Sequence, residues 1–316
     1  MEFKGISIIS VNQFDREGLD RVISLSAKME KFARGEKPCR ILSGRILANL
    51  FFEASTRSRL SFDTAFARLG GTVNSTIGVT FSSISKGETL ADTVKVVDSY
   101  CDVIAIRHPE IGSAAEAANH SRVPVINAGD GPGEHPTQAL LDLFTIFREK
   151  KRIDGLTIAL SGDLRFGRTV HSLARLLALY DDIRLLFVAP ELIQMPKTLV
   201  EHAESNGCEV VQTADFHEAI AEADIIYSTR IQKERFLNQE EFAAVNGIFV
   251  LTRGKVEAVC KPDVTIMHPL PRTNEIHIDV DDLPNAAYFR QAENGVMTRM
   301  ALFTMIFGKE AELLEA

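Results

Sequence analysis

Tryptophan is absent from this 316-residue sequence, and tyrosine and cysteine each occur only four times. The cysteines, Cys39, Cys101, Cys208 and Cys260, lie far apart and form no Cys-x-x-Cys pair. This spacing argues against a zinc knot, a dithiol redox motif and a disulfide framework, and it favours a reducing, cytoplasmic setting. Long apolar runs are also missing, since no stretch approaches the roughly 18 residues that a membrane span needs.

An excess of positive charge is missing as well, because the formal net charge is −8. The surface therefore offers no general attraction to nucleic acid or to an anionic membrane, and an anionic ligand must be held by a local cluster of cations. No spacing of histidine, cysteine or carboxylate residues supports a metal site. With 45% hydrophobic residues, the chain is long enough for two medium-sized globular domains.

Residues 51–59 join an apolar run to a polar, cationic one. Residues 46–52 have the length and apolarity of a buried strand, and from Leu60 apolar residues recur at helical spacing. The polar side chains between the two elements are those of Ser55, Thr56, Arg57, Ser58 and Arg59. They fall at the first turn of the helix, where unpaired N–H groups and the helix dipole favour an anion. Ordinary capping explains one hydroxyl but not three beside two arginines, so we predict a phosphate or carboxylate site here.

Polar residues follow several other predicted strands. The alternation of strands with helices predicts an α/β fold with two doubly wound parallel-sheet domains, and ligands bind beyond the carboxyl ends of such strands. The polar strand ends are Ser55-Thr56-Arg57, Arg107-His108, His135-Pro136-Thr137-Gln138, Arg168, Arg230-Ile231-Gln232 and His268-Pro269-Leu270-Pro271-Arg272. Singly, each has an ordinary explanation as a surface cation or a structural histidine. Together they predict an arginine-rich interdomain cleft for substrates that carry several negative charges.

The sequence contains neither of two common nucleotide-binding motifs in full. Residues 162–169 approximate the P-loop pattern, but Arg168 stands where that motif needs lysine, and the planar guanidinium cannot replace the point charge cleanly. No G-x-G-x-x-G follows a predicted strand, which argues against a nicotinamide-binding domain. The sequence therefore favours neither an NTPase nor a dehydrogenase.

Several motifs, spread over both halves of the chain, resemble the signature elements of the transcarbamylase family. They are Ser55-Thr56-Arg57-Ser58-Arg59, Arg107-His108-Pro109, His135-Pro136-Thr137-Gln138 and His268-Pro269-Leu270-Pro271-Arg272. The segments beginning at Lys86 and Arg230 resemble the members that use aspartate. Two departures are Ser58, where the family usually has threonine, and Phe166, where many relatives have tyrosine.

The resemblance implies a domain organisation and an activity. A first domain, residues 1–134 completed by a C-terminal helix at about 291–316, would bind carbamoyl phosphate, and a second, residues 135–290, would bind L-aspartate. The active site would lie between the domains and be shared between the subunits of a homotrimer. The reaction would give N-carbamoyl-L-aspartate and phosphate, an early step of pyrimidine synthesis, without a metal or organic cofactor.

The resemblance also assigns roles to individual residues. Those implied for carbamoyl phosphate are Ser55, Thr56, Arg57, Ser58, Ser82, Lys86, Arg107, His135, Gln138, Pro269 and Leu270, with Ser82 and Lys86 arriving from the neighbouring subunit. Those implied for L-aspartate are Lys86, Arg168, Arg230, Gln232 and Leu270. The residues implied in catalysis are Arg57, Ser58, Lys86, Arg107, His135 and Gln138.

Two alternatives stay open at this stage. Ornithine carbamoyltransferases share the phosphate motif but resemble the chain less, because they carry His-Cys-Leu-Pro at the motif that begins with His268 and lack the lysine of the Lys86 loop. A catalytically silent homologue with a structural or regulatory role is the other alternative. Whether the trimers associate with a separate regulatory chain is also open.

Overall fold

The computed structural model describes residues 1–78, 86–232, 236 and 238–315. They divide into two compact units. Unit 1 consists of Met1–Phe144 and Glu293–Ala316, and unit 2 consists of Thr145–Ala292. No helix in the described residues combines the length and the apolarity needed to cross a bilayer.

Unit 1 is built on a parallel sheet with the strand order β2-β1-β3-β4 in its described part. The strands are β1 (Ile46–Phe51), β2 (Thr72–Ile77), β3 (Val103–His108) and β4 (Val125–Asp130). Its helices are α1 (Arg16–Lys28), α2 (Glu30–Ala33), α3 (Thr56–Arg68), α4 (Leu90–Val97), α5 (Ser113–His120), the first part of α6 (Pro136–Lys150), most of α12 (Tyr288–Ile306) and α13 (Glu310–Glu315), with a short 3-10 helix at Val11–Gln13.

The core of unit 1 follows from the apolar patterns of these elements. Strands β3 and β4 are buried along their whole length, as expected for a parallel sheet with both faces covered. Helix α3 presents Phe62 and Phe66 to Phe303 of α12, with ring centroids 6.1 Å and 4.8 Å from that of Phe303. The C-terminal helix thus packs on the same helix that carries the predicted anion site.

Unit 2 is built on a second parallel sheet, with the order β7-β6-β5-β8-β9 among the described strands. They are β5 (Thr157–Ser161), β6 (Arg184–Val188), β7 (Glu209–Thr213), β8 (Ile225–Ser228) and β9 (Thr265–Met267). The helices are the end of α6, α7 (Arg168–Leu177), α8 (Lys197–Ser205), α9 (Phe216–Glu222), α10 (Gln239–Val245), α11 (Arg253–Val259) and the start of α12, with 3-10 helices at Glu191–Ile193 and Ile278–Val280.

The described strands pair in parallel in both sheets, which confirms the predicted α/β class with two parallel sheets. In each sheet the order in which the strands are added reverses once. In unit 1 the chain moves from β1 outward to β2 and then returns to β3 on the other side of β1. In unit 2 it moves from β5 through β6 to β7 and returns to β8 beside β5. Ligands of open α/β sheets bind at such switch points, beyond the carboxyl ends of the two central strands. The switch points fall between β1 and β3 and between β5 and β8.

The boundary between the units lies ten residues later than the predicted one. The family resemblance implied a boundary at 134/135, ahead of α6, whereas the structure divides the chain between Phe144 and Thr145, inside that helix. The first half of α6 belongs to unit 1 because it packs there: Arg299 on α12 donates to the Thr137 hydroxyl at 3.4 Å and to the Ser61 hydroxyl at 2.9 Å. The C-terminal segment of unit 1 starts at residue 293, close to the expected 291.

Candidate functional site

The predicted anion site lies at the first turn of α3, at the carboxyl end of β1. Ser55 is the N-cap residue in extended conformation, with φ −159° and ψ 98°, and Thr56, Arg57 and Ser58 form the turn that follows. In the structure as described, the Ser55 side chain makes no capping hydrogen bond. Capping therefore does not account for this hydroxyl, which makes the turn better suited to bind an anion.

Arg107, at the end of the neighbouring strand β3, contributes a second guanidinium to this switch point. Its Nη2 lies 2.7 Å from a carboxylate oxygen of Glu53, and its Nη1 donates to the Ala128 carbonyl at 3.2 Å. Only 9% of Arg107 is exposed. Burial lowers its pKa, which Glu53 raises and the nearby charge of Arg57 lowers further. The charges of Arg57 and Arg107 thus influence each other at this switch point.

Glu53 is a residue of this group that the sequence analysis did not single out. The ion pair with Arg107 supplies a counter-charge to a buried arginine, and burying that arginine unpaired would be costly. The signal was visible in the sequence, because Glu53 is an acid inside a segment otherwise rich in hydroxyls and cations. Its partner could not be identified, since Arg107 lies on another strand.

The start of α6 brings His135 and Gln138 to the end of β4, next to β3. His135 is 4% exposed and directly precedes Pro136, the first residue of the helix; its carbonyl accepts from the Gln138 N–H at 3.0 Å. The Gln138 side-chain Nε2 donates to Asp142 Oδ1 at 2.9 Å. Because a carboxylate only accepts, this bond fixes the amide with its NH2 group towards Asp142 and its oxygen turned away.

The charge of Asp142 is balanced inside unit 1. Asp142 is fully buried, and Arg299, 3% exposed, lies near it with its guanidinium 4.7 Å from the centre of the Phe62 ring. Burial lowers the pKa of Arg299 to about 10, and the charge of Asp142 opposes that shift. The carboxylate that orients Gln138 thus lies near a buried arginine, and the sequence analysis singled out neither residue.

In unit 2 the residues that are predicted to bind aspartate lie at the ends of β5 and β8. Arg168 begins α7, and Arg230 and Gln232 follow β8; all three are half-buried. The two loops are tied together, because the Gln232 N–H donates to Asp163 Oδ2 at 3.4 Å and its side-chain amide donates to the Phe166 carbonyl at 3.5 Å. Two guanidinium groups and an amide thus come from adjacent loops at the switch point of this sheet.

Pro269 and Leu270 follow β9 in a loop that is held by a buried histidine. His268 is 1% exposed, and its Nδ1 accepts the Leu270 N–H at 2.8 Å. Its Nε2 lies 2.7 Å from Glu275 Oε1. Burial alone would raise the pKa of Glu275, but the hydrogen bond from His268, with backbone and Thr273 donors, lowers it. Glu275 is the other residue of this loop that the sequence analysis missed.

The lowered pKa of Glu275 predicts a specific acid sensitivity. Because its folded-state pKa lies below the usual value of 4.5, the ionised group stabilises the fold above about pH 4.5, and that contribution is lost as the pH falls towards 2. At pH 7 we expect Glu275→Gln to lower the unfolding temperature, by an amount that corresponds to a loss of about 1–3 kcal/mol in the free energy of unfolding. At pH 3 the difference in unfolding temperature between the variant and the unmodified protein should be smaller. Thermal unfolding from pH 7 to pH 3 measures this. A pH-independent difference would contradict it.

Lys86 and Ser82 are the predicted residues that do not belong to these groups. Lys86 is exposed in unit 1, immediately after residues 79–85. Ser82 lies outside the described residues, and so do residues 233–235 of the segment that follows Gln232. The part of the chain that the structure describes contains no cluster of three histidine, cysteine or carboxylate side chains that could hold a metal ion.

Two family models match the chain in succession. The carbamoyl-P binding domain of aspartate/ornithine carbamoyltransferase matches residues 7–148, and the Asp/Orn binding domain of the same family matches residues 154–306. The aspartate carbamoyltransferase catalytic subunit of Dichelobacter nodosus is 49% identical over 315 residues, covering 97% of this chain and 90% of that protein. The corresponding subunit of Leptospira biflexa is 50% identical and covers 96% of both.

Solved structures agree with this assignment. Aspartate transcarbamoylase from Trypanosoma cruzi, in complex with carbamoyl aspartate and phosphate, is similar with a TM-score of 0.91 and 41% identity, over 96% of this chain and 97% of that one. The catalytic subunit of M. jannaschii aspartate transcarbamoylase gives a TM-score of 0.90 and 43% identity, over 96% and 99%. The chain belongs to the aspartate/ornithine carbamoyltransferase family.

Proposed function

We propose that this carbamoyltransferase moves the carbamoyl group of carbamoyl phosphate to the amine of L-aspartate, giving N-carbamoyl-L-aspartate and phosphate. The activity is that of the relatives named above, and it suits the two groups of cationic residues at the switch points. Unit 1 binds carbamoyl phosphate, and unit 2 binds the two carboxylates of aspartate. Because the amine must reach the carbamoyl carbon, the reaction needs both groups in one active site, as the sequence analysis predicts.

The phosphate of carbamoyl phosphate binds at the first turn of α3. The backbone N–H groups of this turn, the hydroxyls of Ser55, Thr56 and Ser58, and the guanidinium of Arg57 supply donors to its oxygens. Arg107 adds a second charge at the adjacent strand end. Ser82 and Lys86 of a neighbouring subunit complete this group in the proposal.

The carbamoyl group is oriented by the start of α6 and by the loop after β9. Arg107, Ser58 and His135 donate to its carbonyl oxygen in this proposal. The Gln138 side-chain oxygen, which the Asp142 contact turns away from that carboxylate, accepts from the carbamoyl nitrogen. The carbonyls of Pro269 and Leu270 accept from the same nitrogen.

Aspartate binds to the unit 2 residues. Arg168, Arg230 and Gln232, with Lys86 from the neighbouring subunit, hold its two carboxylates. Charge decides the choice of amino acid, because ornithine has one carboxylate and a second amine that these cations would repel.

Carbamoyl transfer proceeds by addition and elimination. The neutral amine attacks the carbamoyl carbon and forms a tetrahedral oxyanion, whose growing charge Arg107, Ser58 and His135 stabilise. Phosphate then leaves with the bonding electron pair, stabilised by Arg57, and accepts the amine's proton. Holding both substrates in contact contributes several kcal/mol, up to about 7–11 in the best cases.

One observation carries this proposal: arginines lie at or just beyond the carboxyl ends of the two central strands of each sheet, Arg57 and Arg107 in unit 1 and Arg168 and Arg230 in unit 2. The test is a turnover assay of the purified protein with carbamoyl phosphate and either amino acid. Carbamoylaspartate is the expected product, and carbamoylornithine should not rise above background. Turnover of ornithine would move the chain to the other branch of the family, and no turnover with either would indicate a silent homologue.

The assembly and the compartment also belong to this proposal. We infer a homotrimer in which Ser82 and Lys86 serve the neighbouring subunit's site. The four cysteines are free thiols in the structure, which fits the reducing cytoplasm. Light scattering of the purified protein tests the trimer.

A further inference from the structure

Two buried side chains in unit 2, Glu275 and His268, form a continuous chain of contacts that ends at the Leu270 backbone. Glu275 contacts His268 Nε2 at 2.7 Å, and His268 Nδ1 accepts the Leu270 N–H at 2.8 Å. Because that N–H needs a lone pair on Nδ1, the ring is neutral and carries its proton on Nε2, which it donates to Glu275. The carboxylate thereby sets which ring nitrogen faces Leu270.

The end point of this chain has an unusual backbone conformation. Leu270 has φ +52°, in the left-handed region, which is unfavourable for a residue with a side chain. Such a conformation persists only where surrounding contacts enforce it. The His268 ring supplies one such contact, and the backbone of His268 is itself restrained, since its N–H donates to Gln291 Oε1 at 2.8 Å.

We propose that His268 and Glu275 are positioning residues, which aim the Leu270 carbonyl at the nitrogen of the carbamoyl group. This inference rests on the proposed function, in which that carbonyl accepts from the NH2 of carbamoyl phosphate. Its consequence concerns specificity. A carbonyl held in place favours an acyl phosphate that bears N–H groups over one that bears a methyl group, because the methyl cannot donate to it.

A simpler role for Glu275 must be separated from this one. The same carboxylate accepts from the N–H groups of Thr273 and Asn274, at 3.2 Å and 3.1 Å, so it also shapes its own loop. If that were its only role, its loss would weaken every ligand of the site alike. If it aims the Leu270 carbonyl, its loss weakens the binding of carbamoyl phosphate but not that of acetyl phosphate, which has the same phosphate and no nitrogen.

Two substitutions of His268 separate its two nitrogen contacts. The side-chain amide of His268→Gln can reach towards Glu275, as Nε2 does, but places no acceptor at the Leu270 N–H. The shorter His268→Asn can keep an acceptor near that N–H, as Nδ1 does, and loses the contact with Glu275. Dissociation constants of carbamoyl phosphate and of acetyl phosphate are measured for both assembled variants by calorimetry, with the thermal unfolding temperature as a check of folding.

We expect His268→Gln to raise the dissociation constant of carbamoyl phosphate about tenfold and that of acetyl phosphate less than about twofold. His268→Asn should retain most of the preference for carbamoyl phosphate. Equal weakening of both ligands in His268→Gln, or the same loss of preference in both variants, would overturn the proposal. If His268→Gln does not fold, Glu275→Gln takes its place, with an expected loss of preference of about threefold.

The unmodified protein separates failure of this inference from failure of the proposed function. If it makes carbamoylaspartate and prefers carbamoyl phosphate to acetyl phosphate, equal weakening in the variants refutes only the positioning role. If it makes no carbamoylaspartate, the proposed function is wrong and the positioning role falls with it.

Discussion

Arg57→Ala is expected to lower kcat by about 100- to 1000-fold and to raise the dissociation constant of carbamoyl phosphate far less. The reason is where negative charge develops. In the ground state the phosphate has other donors, namely the hydroxyls and N–H groups at the start of α3, and Arg107 nearby. As the bond to the carbamoyl carbon breaks, charge grows on the leaving oxygen, and the Arg57 guanidinium stabilises it at that moment more than before.

Two matched variants make the Arg57 measurement specific. Arg57→Lys keeps the charge but loses the planar fork, so an intermediate kcat is expected. Arg59 lies two residues further along the same helix and pairs with Asp63 at 3.2 Å, and Arg59→Ala therefore controls for loss of a nearby cation. Steady-state kinetics gives kcat, and equilibrium binding gives the affinity. A large loss of affinity with unchanged kcat would mean that Arg57 only binds the ligand.

The sheet architecture could be predicted from the sequence because each central strand is a short apolar run followed by a cation or a histidine. Strand β1 ends one residue before the predicted position. A parallel strand buried on both faces has a continuous apolar pattern, and that pattern does not depend on distant parts of the chain. The doubly wound order followed from alternation with helices.

The domain boundary could not be predicted from the sequence, for a physical reason. The amphipathic pattern of α6 shows one helix, but it does not show that the two halves of that helix belong to different units. What assigns the first half to unit 1 is a contact across 162 residues, from Arg299 to the Thr137 hydroxyl.

The residues that touch substrate in the proposal were recognised as polar side chains at strand ends, whereas those that hold them were not. Glu53, Asp142 and Glu275 each acquire their role from a partner brought near by the fold. A motif records the residues that face a ligand. The counter-charges behind them become visible only with the packing, because burial is what makes each charge need a partner.

Mixing two inactive variants is expected to restore activity if the site is shared between subunits. In the proposed homotrimer, Lys86 of one chain serves the site that contains His135 of the next. A trimer that contains both Lys86→Ala and His135→Ala chains then has one site in which both residues are native. With random exchange of equal amounts, roughly one quarter of all sites should regain activity.

The control for this experiment uses two residues of the same chain's site. Arg57 and His135 both lie in unit 1, so a mixture of Arg57→Ala and His135→Ala chains places one defect in every site and should stay inactive. Subunit exchange is verified by mass spectrometry of the mixed trimers before the assay. Exchange without any regain in the Lys86 and His135 mixture would show that each site is made by one chain, and regain in the control would show that the two variants were not fully inactive.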